Sequence, residues 1–170
     1  MSEQVWPQRL LDALADAGVG LLPYVPDGVL APVLELAAAR PQFTLVPLTR
    51  EEEGVGIACG AFLGGGRAAL LLQTSGMGNS LNAIGSLAMA QRIPLLMVVT
   101  ERGGLGETVS TQIPFGAALR RVLDAVGICW HEITEPRQVA GVVAGAAQQC
   151  FVSRVPVVLL LSARLSLESA

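Results

Sequence analysis

Short apolar runs alternate with longer alanine-rich stretches along the whole chain. The runs are GLLPYV, FTLVPL, RAALLLQ, PLLMVVT, ICWHEI and VPVVLLL, and the stretches between them are long enough to form helices. This alternation is typical of βα units. Several runs are continuously apolar, as expected of strands that helices cover on both faces. The pattern predicts an α/β fold with three layers, a doubly wound parallel sheet of six strands.

The boundaries of the predicted helices follow from turn residues and caps. We expect a single domain over residues 1–164 and a short C-terminal tail over residues 165–170, with no linker or fixed repeat inside. The predicted helices run from about Trp6 to Ala17, from Asp27 toward Arg40, from Glu51 onward, from Asn79 onward, from about Phe115 to Ala125, and from Pro136 to about Cys150.

Polar and glycine residues concentrate where the predicted strands end. In open parallel sheets ligands bind beyond the carboxyl ends of the strands, so the loops to consider are 25–27, 49–53, 74–79 and 101–112. The unusual residues of the chain fall in these four loops.

Composition excludes several classes of function. The net charge is only −3 and the basic residues are scattered, so neither nucleic acid nor a membrane is an expected partner. All basic residues are arginine, which excludes a Schiff-base or P-loop lysine. His131 is the only histidine, so a histidine-rich metal site is also excluded, and we interpret His131 as structural.

The N-terminal stretch and the thiols of the chain indicate a reduced compartment. The N-terminal stretch has acids and a proline where a secretory signal would have a basic and then an apolar segment, which predicts a cytoplasmic protein. The three cysteines, Cys59, Cys129 and Cys150, are far apart, and we expect buried free thiols.

Three consecutive acids, Glu51, Glu52 and Glu53, open a helix whose remainder is almost wholly apolar. Thr49 and Glu52 have the spacing of a capping box, which is one explanation. The other is chemical, because a buried glutamate is costly to ionise unless it is paired and tends to hold or share a proton.

The segment Thr74 to Asn79, TSGMGN, follows the next strand. Its glycines permit close approach and positive φ, and Asn79 is a candidate cap for the next helix. A turn with a cap and a ligand site are both compatible with this pattern. Met77 is either a cofactor contact or simply part of the core.

These segments together resemble the pyrimidine-binding domain of thiamine diphosphate enzymes. Residues 50–55, REEEGV, resemble the R-H-E-x-G-A segment of the decarboxylases and acetolactate synthases, TSGMGN is similar to their T-S-G-x-G-N turn, and Val25-Pro26-Asp27 resembles their V-P-G or V-P-D loop. The resemblance implies that Glu52 activates the cofactor, although Glu51 replaces the histidine of the pattern and stays an alternative. It also implies cofactor contacts from Pro26, Asp27, Thr74, Gly76, Met77, Gly78 and Asn79.

Further segments, around Asn79 to Ala83 and Gln112 to Gly116, resemble the sulfopyruvate and phosphonopyruvate decarboxylases. The resemblance implies a 2-oxo acid substrate, with Gln112 near it and Arg102 as a candidate contact to its sulfonate or phosphonate. The chain would then release CO₂ and an aldehyde from a 3-substituted pyruvate.

The G-D-G motif, with which this family binds Mg²⁺ and the cofactor's diphosphate, does not occur in the sequence. The resemblance therefore implies a second chain, a β subunit that holds Mg²⁺, and no metal ligand in this one; we also expect self-association. Two alternatives stay open: a thiamine-dependent carboligase or transketolase-like subunit, and a non-catalytic flavodoxin-like module.

Overall fold

The computed structural model describes residues 5–167. Strands and helices alternate along most of this range. The strands are β1 (Leu21–Tyr24), β2 (Thr44–Pro47), β3 (Ala69–Gln73), β4 (Leu95–Thr100), β5 (Cys129–Ile133) and β6 (Pro156–Leu161). Within the described residues the α-helices are α1 (Val5–Asp16), α2 (Ala31–Ala38), α3 (Glu51–Leu63), α4 (Thr74–Ala83), α5 (Ile113–Val126), α6 (Val139–Ser153) and α7 (Ala163–Leu167).

The six strands form one sheet in the order β2-β1-β3-β4-β6-β5, and every pair is parallel. Helices α1, α2 and α6 pack with one core cluster, and α3, α4 and α5 pack with a second cluster on the other face. The predicted three-layer, doubly wound α/β fold with six parallel strands is therefore confirmed.

The interior strands β4 and β6 are buried along their whole length. In β4, Leu96 and Val98 pack into the first cluster, whereas Met97 and Val99 pack into the second. Both faces of the strand are covered, which explains why its sequence is continuously apolar instead of alternating.

Helix α4 begins at Thr74, five residues before the predicted start at Asn79. Gln73 is the residue before the helix, with φ −104° and ψ 172°, so strand β3 passes directly into the helix. The predicted cap at Asn79 is wrong, because Asn79 lies inside α4. Gly76 and Gly78, which would permit positive φ, also lie inside the helix and have negative φ. Packing against α3 and α5 overrides the weak helix propensity of the segment.

Two helical segments carry no clear signal in the sequence. A π-helix over Ile84–Met89 continues α4 toward β4. Helix α7 spans the predicted boundary between the domain and its tail at residue 165, and Leu165 is buried in the first cluster. Residues 168–170 of the predicted tail lie outside the described residues, and the proposed division of the chain stays a prediction.

The thiols differ in exposure. Cys59 and Cys150 are buried as predicted, but Cys129 is exposed because β5 is an edge strand of the sheet. Burial raises the pKa of the Cys59 thiol, and it raises the pKa of Cys150 to about 12. His131, on the same edge strand, lies 2.7 Å from Gln149 Oε1 through its Nε2. None of the described helices is both long and apolar enough to cross a bilayer.

Candidate active site at the carboxyl edge of the sheet

Three predicted site residues meet beyond the carboxyl ends of β1, β3 and β4. The Thr74 hydroxyl donates to the carbonyl oxygen of Thr100 at 3.0 Å and accepts the backbone N–H of Arg102 at 3.0 Å. Arg102 Nη1 lies 3.9 Å from Asp27 Oδ2. The fold thus joins the loops that follow three strands, as expected of a ligand-binding edge.

Asp27 shapes the loop that follows β1. Its side chain is only 3% exposed. Its Oδ1 accepts the backbone N–H groups of Val29 at 2.7 Å and Leu30 at 3.3 Å, so the carboxylate fixes the turn into α2. Pro26, the neighbouring predicted residue, is exposed at the surface of this edge.

The first turn of α3 is capped by Glu53, whose Oε2 accepts the backbone N–H groups of Thr49 at 3.1 Å and Arg50 at 3.4 Å. The predicted capping box of Thr49 and Glu52 is therefore wrong. The helix starts at Glu51, so Arg50 is its N-cap residue and the third helical position falls on Glu53.

Glu51 and Glu52 have different surroundings. The Glu51 side chain fills the space that Gly76 leaves open: a Cβ on Gly76 would lie 2.4 Å from Glu51 Cγ and 2.5 Å from its Oε1. Glu52 is instead paired with Arg50, with 3.0 Å between Oε1 and Nε, and its side chain is 35% exposed. We expected a fully buried carboxylate at Glu52, but in the isolated chain this side chain is partly exposed.

The other predicted residues of α4 face in different directions. Met77 is completely buried in the second core cluster, which supports its packing role. Gly78 faces the ring of Phe115, and Asn79 is exposed on the outer surface of the helix. Only part of the predicted set is therefore accessible from outside the domain.

Three buried oxygens at this edge have no hydrogen-bond partner within residues 5–167. They are Gln73 Oε1, Thr100 Oγ1 and Gln112 Oε1. Gln73 and Thr100 are neighbours across the sheet and end β3 and β4, while Gln112 directly precedes α5. Sequence reasoning identified Gln112 but missed Gln73 and Thr100; the only signal for them is their position as last residues of apolar strands.

The loop after β4 is organised by Glu107, which sequence reasoning also missed. Its carboxylate accepts Arg102 Nε at 2.9 Å and Nη2 at 3.2 Å, and the backbone N–H groups of Gly103 and Val109 at 3.1 and 3.0 Å. The hydrogen bond from Arg102, followed by those two backbone groups, lowers the pKa of Glu107 to about 2.

A cavity of about 220 Å³ lies between this loop, Val29 and Leu161–Ala163. A larger one of about 470 Å³ lies between α1 and α6, where none of the predicted site residues line it. In the described part of the chain no three His, Cys, Asp or Glu side chains are arranged to hold a metal ion.

The fold and this edge define a parallel α/β domain whose candidate ligand site lies beyond its strand ends. A family model described as "Thiamine pyrophosphate enzyme, N-terminal TPP binding domain" matches residues 7–111. The chain belongs to this family.

Two curated relatives extend the comparison. The chain is 39% identical over 156 residues to the sulfopyruvate decarboxylase subunit alpha of Methanococcus maripaludis, a match that covers 92% of this chain and 93% of the relative. It is 36% identical over 98 residues to the phosphonopyruvate decarboxylase of Streptomyces viridochromogenes, covering 58% of this chain and only 25% of that one.

Among solved structures, a 2-oxoglutarate:ferredoxin oxidoreductase from Magnetococcus marinus superposes with a TM-score of 0.77 at 15% identity. The match covers 94% of this chain and 29% of that one. At this identity the likeness shows the fold alone.

The edge fits the aminopyrimidine ring of thiamine diphosphate. Such a ring brings N–H donors, and the unpartnered Gln73 oxygen is an acceptor. It also carries ring nitrogens that accept a hydrogen bond, which a protonated carboxyl group can donate.

Proposed function

We propose that this chain is the pyrimidine-binding subunit of a thiamine diphosphate-dependent decarboxylase of a 3-substituted pyruvate. Sulfopyruvate is the proposed substrate, and phosphonopyruvate is the second candidate. The proposal is supported by the relative named sulfopyruvate decarboxylase subunit alpha, which matches this chain over nearly the full length of both. The relative named phosphonopyruvate decarboxylase supports the second candidate over a shorter stretch.

The observation that carries the proposal is that the three acids at the start of α3 make different contacts. Glu53 caps the helix, and Glu51 is packed against Gly76. Within residues 5–167, the one polar contact of the Glu52 side chain is a surface ion pair with Arg50, whose side chain is 67% exposed. Because exposed pairs contribute about 1 kcal/mol or less, Glu52 is released at little cost to a ligand at this edge.

The proposed role of Glu52 is to hold a proton at its carboxyl oxygen and donate it to a ring nitrogen of the cofactor. A partner surface and a cofactor ring over Glu52 would remove it from water, and desolvation favours the protonated form. Thiamine diphosphate, when bound, supplies the electron sink for the loss of CO₂ from a 2-oxo acid. Glu51 stays the alternative carboxylate.

The remaining predicted residues are proposed to frame the pyrimidine and the substrate. Pro26 and Thr74 lie at the carboxyl edge, Asn79 lies five residues further along α4, and Gly76 keeps the α3–α4 contact close enough to orient Glu51. Gln112 is the proposed substrate contact because its amide oxygen is buried and unpartnered within the described residues. The contacts predicted for the other site residues, Asp27, Met77 and Gly78, stay predictions.

We further propose that a second chain completes the site. The relative that matches this chain over nearly its full length is named a subunit, and the relative named phosphonopyruvate decarboxylase is about four times as long as the matched stretch. The partner would hold the diphosphate and Mg²⁺, for which this sequence has no G-D-G motif.

The test is CO₂ release from sulfopyruvate and from phosphonopyruvate by this chain with its partner subunit, thiamine diphosphate and Mg²⁺. Activity is expected only in the pair, and Glu52→Gln is expected to lower kcat by about 10²-fold or more, the scale of a proton-transfer contribution. Glu53→Gln, on the same helix turn, is the matched control and should leave kcat within about threefold, because a cap contributes to stability alone.

Equal losses in both variants would assign the effect to the helix start and refute the role of Glu52. A larger loss in Glu51→Gln would move the role to Glu51. A pair that binds the cofactor, leaves both acids intact and joins pyruvate to a second carbonyl compound would replace decarboxylation with carboligation.

A further inference from the structure

Arg102 lies at the centre of the carboxyl edge, but two carboxylates already surround its guanidinium. The Glu107 carboxylate accepts hydrogen bonds from Arg102 Nε and Nη2 in a bidentate pair, and Asp27 Oδ2 lies 3.9 Å from Arg102 Nη1. The side chains of Asp27 and Glu107 are only 3% and 9% exposed. One positive and two negative charges give this cluster a net charge of −1, which disfavours a further anion there.

The same residue ties three loops together. The backbone N–H of Arg102 is bound by Thr74, and its side chain reaches Asp27 in the loop after β1. Glu107 holds the far end of the loop after β4 through the backbone of Gly103 and Val109. The contacts of Arg102 therefore run toward two residues predicted to bind the cofactor.

The backbone beneath Arg102 is fixed as well. Gly103 has φ +77°, and a Cβ there would lie 2.4 Å from the carbonyl oxygen of Gln112. A Cβ on Gly116 of α5 would lie 2.0 Å from the carbonyl oxygen of Arg102. The Arg102–Gly103 peptide thus packs directly against the start of α5, which couples the backbone of Arg102 to that of Gln112.

We propose that Arg102 and Glu107 are positioning residues, which form with Asp27 and Thr74 an edge clasp that holds the cofactor-binding loops in register. This inference rests on the proposed function and replaces the predicted contact between Arg102 and the acid group of the substrate. The clasp acts through Asp27, Thr74 and Gln112, and the acid group is recognised elsewhere.

The first test uses the full chain without cofactor or partner. Trypsin cuts this chain only after arginine, since it has no lysine. In Glu107→Gln, cleavage after Arg102 is expected to be about tenfold faster or more, because a charge-assisted bidentate pair is lost. Cleavage after the exposed Arg92, which precedes β4 at the opposite edge of the sheet, is the internal reference.

The second test uses the active pair. Glu107→Gln and Arg102→Gln are expected to raise the half-saturating concentration of thiamine diphosphate about tenfold, with kcat at saturating cofactor within about threefold. The double variant is expected to lose less than the product of the two single losses, because each single change leaves the remaining charge without its bidentate partner. Glu35→Gln, at an exposed position of α2, is the matched control.

A substrate comparison separates the clasp from a substrate receptor. If Arg102 and Glu107 only position the loops, the ratio of kcat/KM for sulfopyruvate to that for pyruvate, which lacks the second acid group, stays constant. A fall in this ratio in Arg102→Gln, with unchanged cofactor affinity, overturns the clasp and restores the substrate contact.

Loss of structure is monitored by circular dichroism, and Glu107→Asp, which keeps the charge, replaces the glutamine variant if that one does not fold. If the wild-type pair decarboxylates nothing, the proposed function fails, while trypsin cleavage and calorimetric binding of thiamine diphosphate still test the clasp. Equal cleavage after Arg102 in wild type and Glu107→Gln overturns it in either case.

Discussion

Gly76 and Glu51 illustrate how a single missing side chain determines which acid is available at the edge. The three atoms nearest to the position that a Cβ would take at Gly76 all belong to Glu51, at 2.4 to 2.6 Å. Glu51 is thereby held against α4, and the next residue, Glu52, points toward its surface ion pair with Arg50. Glu51 and Glu52 have the same side chain, but they differ in their availability to a ligand because of one contact between α3 and α4.

This contact gives a testable coupling. In a Glu51→Ala background, Gly76→Ala is expected to stabilise the chain by about 1 kcal/mol, the difference in helix propensity between glycine and alanine. With Glu51 present, the new methyl group forces that side chain from its rotamer, which costs about 0.5–1.5 kcal/mol and offsets the gain. Urea unfolding of the four chains measures the coupling, and an identical effect of Gly76→Ala in both backgrounds would contradict the packing of Glu51.

At the scale of elements, the sequence predicted what periodicity and composition encode. The continuous apolar runs of β4 and β6 and the acidic start of α3 at Glu51 were predicted correctly. The start of α4 was missed because threonine, serine and glycine disfavour a helix that tertiary packing nevertheless forms. The pairing of Arg102 with Glu107 was missed because two residues in a glycine-rich loop have no periodic relationship that reveals contact.

The end of α6 shows the same limit. Arg154 follows the helix with φ 55° and ψ 56°, a left-handed conformation that usually belongs to glycine, and its N–H caps the carbonyl oxygen of Cys150. An arginine gives no signal of this cap in the sequence. Its guanidinium lies 6.0 Å from the Phe62 ring centroid, which offers partial compensation.

Two substitutions at Arg154 separate these contributions. Arg154→Ala removes the contact with Phe62 and keeps the strain, so it is expected to destabilise the chain by about 0.5 kcal/mol. Arg154→Gly removes both, and relief of about 1–2 kcal/mol of left-handed strain should make it more stable than the alanine variant. Thermal unfolding compares the two, and equal midpoints would show that the backbone at this position is not strained.

At the scale of the whole molecule, polar chemistry and an exposed apolar tip lie at the same edge of the sheet. The loop after β4 carries Leu105, which is 104% exposed, and Val109, which is 42% exposed, and α5 begins with Ile113, which is 43% exposed. They surround the same edge as Glu52 and the clasp. An exposed apolar group next to an incomplete polar site is typical of a surface that another protein covers.

We expect Leu105 to contact the partner subunit, and the chain offers a matched control. Leu105→Ser should leave the unfolding free energy of the isolated chain unchanged, because the side chain touches little of the domain. It should weaken binding of the partner about tenfold, since a central apolar contact in an interface contributes about 1–2 kcal/mol. Val152→Ser alters a side chain of α6 that is 76% exposed, outside this edge. It should leave both quantities unchanged. Titration of the partner subunit in a calorimeter compares the affinities of the variants. Equal weakening by both substitutions would show that a hydroxyl anywhere on the surface has this effect. Weakening by Val152→Ser alone would place the partner on the α1–α6 face, away from the carboxyl edge.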